Sequence, residues 1–151
     1  KCTFFSEALA RMGQDGLPDH VPNFEPGGAH ADYPLAMISP PARNFLNSSF
    51  VNLQALRDIE GRPLLELHPD DAAARGIADG ALVRVFNERG SYECHAALNG
   101  RARPGVVNGL GVWWRKLGHS GTNVNEITSQ GLTDMGAGPT FYDCRVQVEC
   151  I

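Results

Sequence analysis

The sequence predicts a mainly β protein, a closed or nearly closed barrel with short helices. The segments LLELH, ALVRVF, SYECHAAL, VVNGLG and DCRVQVE are short, strand-like and closely spaced. Glycine supplies 17 of the 151 residues and proline 10, which cuts helical runs short and multiplies turns. In the last segment Cys144, Val146 and Val148 alternate with Arg145, Gln147 and Glu149, the period of two of a half-buried strand.

Residues 1–33 are expected to hold an N-terminal strand end at Phe4 and Phe5, a short helix and a connector. Ser6 caps the helix, Leu9 and Met12 share a face, and Gly13 and Gly16 end it. The connector, GLPDHVPNFEPGGAHAD, has no periodicity and reads as surface chain. Residues 34–151 are expected to form the barrel domain, starting with the apolar strand PLAMIS and its stop at Pro40 and Pro41. In SSFVNLQALRDIEG, Ser48 or Ser49 is expected to cap a helix with Phe50, Leu53 and Leu56 on one face, ending at Gly61.

HPDDAAARGIADGALVRV, 68–85, places a histidine beside two aspartates. Pro69 suits a boundary, Asp70 and Asp71 stand where free helix amides need acceptors, and Gly76 ends the helix after about two turns. Capping is favoured over a metal or acid–base role, because no third ligand lies near. NERG, 87–90, then turns ALVRVF back onto SYECHAAL as an antiparallel pair.

The net charge of −4 argues against a general nucleic-acid binder, and no apolar run approaches a membrane span. Lys1 in place of an initiator methionine leads us to expect a piece of a longer protein. The four cysteines show neither CxxC nor paired histidine spacing; we expect free thiols, a reducing compartment, and cytoplasm over periplasm.

No phosphate-loop, GxGxxG, GxSxG or HExxH motif is present. Two stretches carry more hydrogen-bonding heads than packing needs: SPPARNFLNSS, 39–49, and WWRKLGHSGTNVNEITSQGLTDMGAGP, 113–139. Asn123 and Asn125 each offer an acceptor and two donors, which suits heterocycle edges; asparagine is equally at home in turns. Of Trp113 and Trp114, one is expected in the core and the other on a stacking surface. Arg43, Arg115 and Lys116 are the best phosphate candidates.

YPLAMISPPARNFLNSSF, LELHPDDAAARGIADGALVRVFNERGSYECHAAL, PGVVNGLGVWW and NVNEITSQGLTDMGAGPTFYDCRVQVE, in that order, resemble the C-terminal cofactor-binding domain of molybdopterin-dependent oxidoreductases, the dimethyl-sulfoxide-reductase and formate-dehydrogenase superfamily. The resemblance implies a six-stranded double-psi β-barrel that holds a pterin guanine dinucleotide carrying molybdenum or tungsten. It implies that Ser39, Arg43, Asn44, Asn47, Ser48 and Ser49 face the cofactor, as do Trp114, Asn123, Asn125, Thr128 and Asp134. It places the metal ligand, and any 4Fe-4S cluster, in other domains of the same chain, and it implies a further partner in the form of an electron-transfer subunit. No residue of this stretch is then catalytic, and the stretch alone is expected to be inactive, while the parent transfers an oxygen atom or a hydride equivalent. The other reading is a double-psi barrel that binds protein partners, of the ATPase-adaptor type. It accounts for HPDDAAARGIADG but leaves PARNFLNSS and NVNEIT without a purpose.

Overall fold

A computed structural model describes residues 2–17, 19, 25, 32–133 and 136–151. The strands are β1 (Leu35–Ile38), β2 (Leu64–Glu66), β3 (Leu82–Asn87), β4 (Gly90–Ala97), β5 (Val106–Leu110) and β6 (Cys144–Cys150). They close into a barrel in the order β1-β5-β2-β4-β3-β6. β1 runs parallel to β5 and β2 parallel to β4, while every other neighbouring pair is antiparallel. This is the six-stranded, mainly β barrel that the sequence predicts.

Alternation decides what fills it. Val83 and Val85, Tyr92, Cys94 and Ala96, and Cys144, Val146 and Val148 point inward with Leu35, Met37, Leu65 and Val107. Leu67, Ala72 and Ile77 join this core from the segment after β2, and Val124 and Ile127 from the long loop before β6. Glu66 is only 4% exposed, and Asn99 and Asn108 each donate to its carboxylate at 2.9 Å. That satisfaction is what makes a charge tolerable at this depth.

Three short helices interrupt the strands. In α1 (Glu7–Arg11), Ser6 caps the amide of Leu9 as expected, and Gly13 follows at φ 79°. Residues 2–6 pair with no strand, and Phe4 and Phe5 stay exposed, so the expected N-terminal strand is absent. Most of the connector lies outside the described residues. α2 (Gln54–Glu60) begins well after the predicted serine cap, with no side chain capping it. Leu46 and Ser49 bond each other's backbone, and Asn47 and Phe50 take φ of 51° and 71°, so the chain between them is a tight turn that cannot propagate a helix. α3 (Pro69–Ala73) sits where predicted, but its cap is His68, whose Nδ1 accepts from the Asp70 amide at 3.2 Å. Asp71 instead accepts from the amide of Gly105 at 2.7 Å, tying α3 to the turn before β5.

Close approach explains two glycines of the β5 segment. A Cβ on Gly109 would lie 2.6 Å from Met37 Cε and 2.7 Å from the Tyr92 hydroxyl, and one on Gly111 would lie 2.9 Å from Val124 Cγ1. Their bareness lets the long loop settle onto the barrel. Gly109→Ala should therefore cost about 1–3 kcal/mol through overpacking, read as a lower urea midpoint at unchanged slope.

All four cysteines are free; Cys94 and Cys144 are buried, Cys2 and Cys150 exposed. Burial pushes the Cys94 thiol up to about 12. Burial, reinforced by the charge of Glu25, pushes Cys144 up to about 11. An unfolded thiol ionises near about 8.5, so above that pH the folded state holds more protons than the unfolded state. The stability these thiols contribute is fully present below about pH 8.5 and is lost as pH rises toward 11 and 12. Alkylation of the native protein at about pH 8 should label Cys2 and Cys150 and spare the buried pair, as peptide mass spectrometry would reveal.

Candidate functional site

Strand direction gathers three loops at one end of the barrel. β1 and β5 are parallel, so both leave the barrel the same way; β6 is antiparallel to β1, with Cys144 opposite Met37, so it starts at that same end. Beyond the strands Pro41 and Gly111 continue the parallel ladder. The amide of Gly111 donates to the Pro40 carbonyl at 2.9 Å, and that of Ala42 donates to the Gly111 carbonyl. Under the first loop lies a small second core of Ala42, Phe45, Val51 and Trp113, with the rings of Phe45 and Trp113 edge-to-face at 5.1 Å.

Between the loops is a cavity of about 380 Å³. Ser39, Asn47, Ser48 and Asn125 supply its polar heads, Phe141 and Tyr142 its aromatic wall, and Pro41, Val112 and Val124 its apolar remainder. Asn125 and Phe141 also line an adjoining cleft of about 370 Å³, which adds Thr128, Ser129 and Gln130. Among the described residues neither lining contains a charged side chain.

The structure divides the residues that the resemblance singled out. Ser39, Asn47, Ser48 and Asn125 share the first cavity, and Thr128, whose hydroxyl donates to the Asn125 carbonyl at 3.3 Å, lines the second. Others spend their polar groups on holding the loops. Asn44 donates its amide and its Nδ2 to Glu60 Oε1, at 2.5 and 2.7 Å. Asn123 caps the 3₁₀ turn Val124–Glu126, accepting from the Asn125 amide at 3.0 Å, and donates to the Trp113 carbonyl at 3.0 Å. Trp114 donates its indole N–H to the Ser48 carbonyl at 2.8 Å. Ser49 pairs with Leu46 across the turn and is in neither lining. Asp134 lies outside the described residues.

Of the basic candidates, Arg115 pairs with Glu126 and Lys116 stands over the Trp114 ring at 4.9 Å. Arg43 is exposed and makes no ion pair among the described residues. Sequence reasoning missed Phe141, Tyr142, Ser129 and Gln130. The signal for the first two was two adjacent aromatics just before a terminal strand, where a core would take only one.

The fold is a six-stranded barrel module, and its groove, among the described residues, is half amide and hydroxyl and half aromatic. Residues 35–145 match the family described as Molydopterin dinucleotide binding domain. The chain belongs to that family. It is 39% identical over 149 residues to the Bacillus subtilis protein named probable oxidoreductase YoaE, covering 99% of this chain and 21% of that one. It is 37% identical over 121 residues to the dimethyl sulfoxide/trimethylamine N-oxide reductase of Cereibacter sphaeroides, covering 75% of this chain and 15% of that one. Its fold is also that of a part of acetylene hydratase from Pelobacter acetylenicus, with a TM-score of 0.81 and 19% identity over 98% of this chain and 23% of that one. The chain thus spans about a fifth of the length of relatives such as YoaE. The family match over the barrel leaves the ATPase-adaptor reading without support.

Trp114 holds a groove residue by its backbone, so its loss should loosen the turn rather than unfold the barrel. Trp114→Phe keeps a ring and removes the N–H. Hydrogen exchange at the amides of Leu46 and Ser49 should then quicken by about 2- to 10-fold, the value of one net hydrogen bond.

Proposed function

We infer that this chain is the dinucleotide-binding part of a molybdenum or tungsten oxidoreductase, and that its groove seats part of the molybdopterin guanine dinucleotide. The observation that carries the reading is the convergence of Ser39, Asn47, Ser48 and Asn125 on one cavity facing Phe141 and Tyr142. Guanine and pterin edges carry adjacent donors and acceptors, and an asparagine amide offers both kinds of group to such an edge. Phe141 and Tyr142 supply ring faces for stacking. The two adjoining clefts, of about 380 and 370 Å³, are of the size that small-ligand sites take, and their donor set fits this group.

When bound, the cofactor supplies the redox chemistry at its metal, and the protein positions it. The residues of this chain bind, orient and exclude water. The remaining domains of the parent supply the other walls of the site, and an electron-transfer subunit takes or gives the electrons. Names such as oxidoreductase and dimethyl sulfoxide/trimethylamine N-oxide reductase, carried by its relatives, support an oxidoreductase parent.

The test is Ser39→Ala with Asn125→Ala in the full-length parent. Two lost hydrogen-bonding heads should weaken retention by about 1–3 kcal/mol, or roughly 5- to 150-fold. Guanine nucleotide released on acid hydrolysis and metal per polypeptide should both fall, while the circular dichroism of the barrel stays unchanged. Full nucleotide and metal content in the double variant would refute the assignment of the groove.

A further inference from the structure

His95 and His119 stand outside the groove, and its reading makes no use of them. His95 is half-buried on the outward face of β4; His119 is exposed in the loop that leads to Asn123 and Asn125. Their Nε2 atoms are 3.0 Å apart, with ring centroids at 5.0 Å and planes at 69°. The other nitrogen of His95, Nδ1, lies 3.1 Å from the Gly80 carbonyl. A carbonyl only accepts, so Nδ1 carries a proton, and in the neutral ring Nε2 presents a lone pair toward His119.

This is how a metal-binding imidazole is prepared: one nitrogen donates to a carbonyl, which fixes the tautomer and turns the other nitrogen outward. The span is informative. Two nitrogens bonded to one ion at about 2.0–2.1 Å lie roughly 2.8–3.0 Å apart at a right angle, and roughly 3.3–3.4 Å apart at a tetrahedral angle. The observed 3.0 Å is the length of the hydrogen bond by which His119 Nε2 donates to His95 Nε2 in the metal-free pair. It also matches the span of adjacent corners of a square or tetragonal site, so copper(II) or nickel(II) could take the place of the shared proton with little movement of either ring. Among the described residues no group of three or more histidine, cysteine or acidic side chains could hold a metal ion, so water would fill the remaining positions here.

The loop is compact at its base. A Cβ on Gly118 would lie 2.8 Å from the Thr122 carbonyl, and the Ser120 and Thr122 hydroxyls are 2.5 Å apart. An ion shared by His95 and His119 would therefore fasten the whole 118–122 segment to the barrel wall.

The geometry points to a two-histidine site for copper(II) or nickel(II), formed by His95 and His119, that clips the 118–122 loop to β4. Binding shifts the proton that His119 Nε2 donates to His95 onto His119 Nδ1, so that both Nε2 lone pairs face the ion; no net proton is released and no oxidation state changes. The proposal stands independently of the cofactor reading.

The test uses the full-length parent without an affinity tag, titrated with copper(II) sulfate and, separately, with nickel(II) sulfate. Copper(II) should give an electron paramagnetic resonance spectrum with coupling to two nitrogens, lost in either histidine variant. His95→Gln and His119→Gln should each weaken binding at this site by at least about tenfold, the lower end of what even an outer-shell partner costs. His68→Gln should leave it unchanged. Nickel(II) should slow hydrogen exchange across residues 118–122 in the parent and not in His119→Gln. Equal binding by the wild type and both histidine variants, loss of binding in His68→Gln instead, or unchanged exchange on nickel addition would overturn the site.

Discussion

The parallel pairing of β1 with β5 is the constraint on which the rest of the structure depends. Parallel neighbours must leave a sheet in the same direction, and here that rule brings Ile38 beside Asn108 although the two lie far apart in the chain. The ladder does not stop at the strand ends: the Pro41–Gly111 bridge carries it into the loops, so the two rims start from a shared backbone register. β6 then enters antiparallel to β1 and delivers Phe141 and Tyr142 to the same end. A barrel of purely antiparallel hairpins would have sent alternate loops to opposite ends. The groove is a consequence of topology before it is a consequence of side chains.

Within that frame the polar residues divide the work. Asn44, Asn123 and Trp114 turn their donors to Glu60, to the Trp113 carbonyl and to the Ser48 carbonyl, each bond worth about 0.5–1.5 kcal/mol net. Ser39, Asn47, Ser48 and Asn125 are thereby left facing open space with their own hydrogen-bonding capacity unspent toward the cavity. Asn47 and Phe50, both at positive φ, hold a strained turn that a helix would have relieved. The second core beneath, built on Phe45 and Trp113, offsets that strain. Preorganised loops of this kind reduce the ordering cost of binding.

The strands were legible because burial writes itself into alternation: Cys144, Val146 and Val148 are inside, as the period of two requires. The β3–β4 hairpin was legible because a two-residue turn leaves so few registers. α2 was misplaced because Ser48 and Ser49 carry a cap-like signal that a tight turn satisfies equally well, and only the positive φ at Asn47 and Phe50 settles which forms. The tie from the Trp114 N–H to the Ser48 carbonyl was not legible, because its acceptor is a backbone group sixty-six residues away and backbone acceptors leave no mark in sequence. The pairing of His95 with His119 was equally invisible, since it depends on where a loop folds back against β4.

The neutrality of the groove has a consequence for selectivity. A dinucleotide is an anion, yet among the described residues the linings hold no cation; Arg115 is committed to Glu126, Lys116 lies on the Trp114 ring, and the chain as a whole carries −4. A charged groove would attract any polyphosphate, an attraction that salt screens beyond about 8–10 Å. A groove of amides, hydroxyls and aromatic faces responds to the edge and plane of a heterocycle instead. Such discrimination reaches its full size only when a bound ligand shuts water away from these side chains, since Asn47, Ser48 and Asn125 are exposed in the barrel alone. On the proposed reading, recognition of the base belongs to this barrel. The phosphate charge is then met by the exposed Arg43, by backbone amides at the rim and by the rest of the parent.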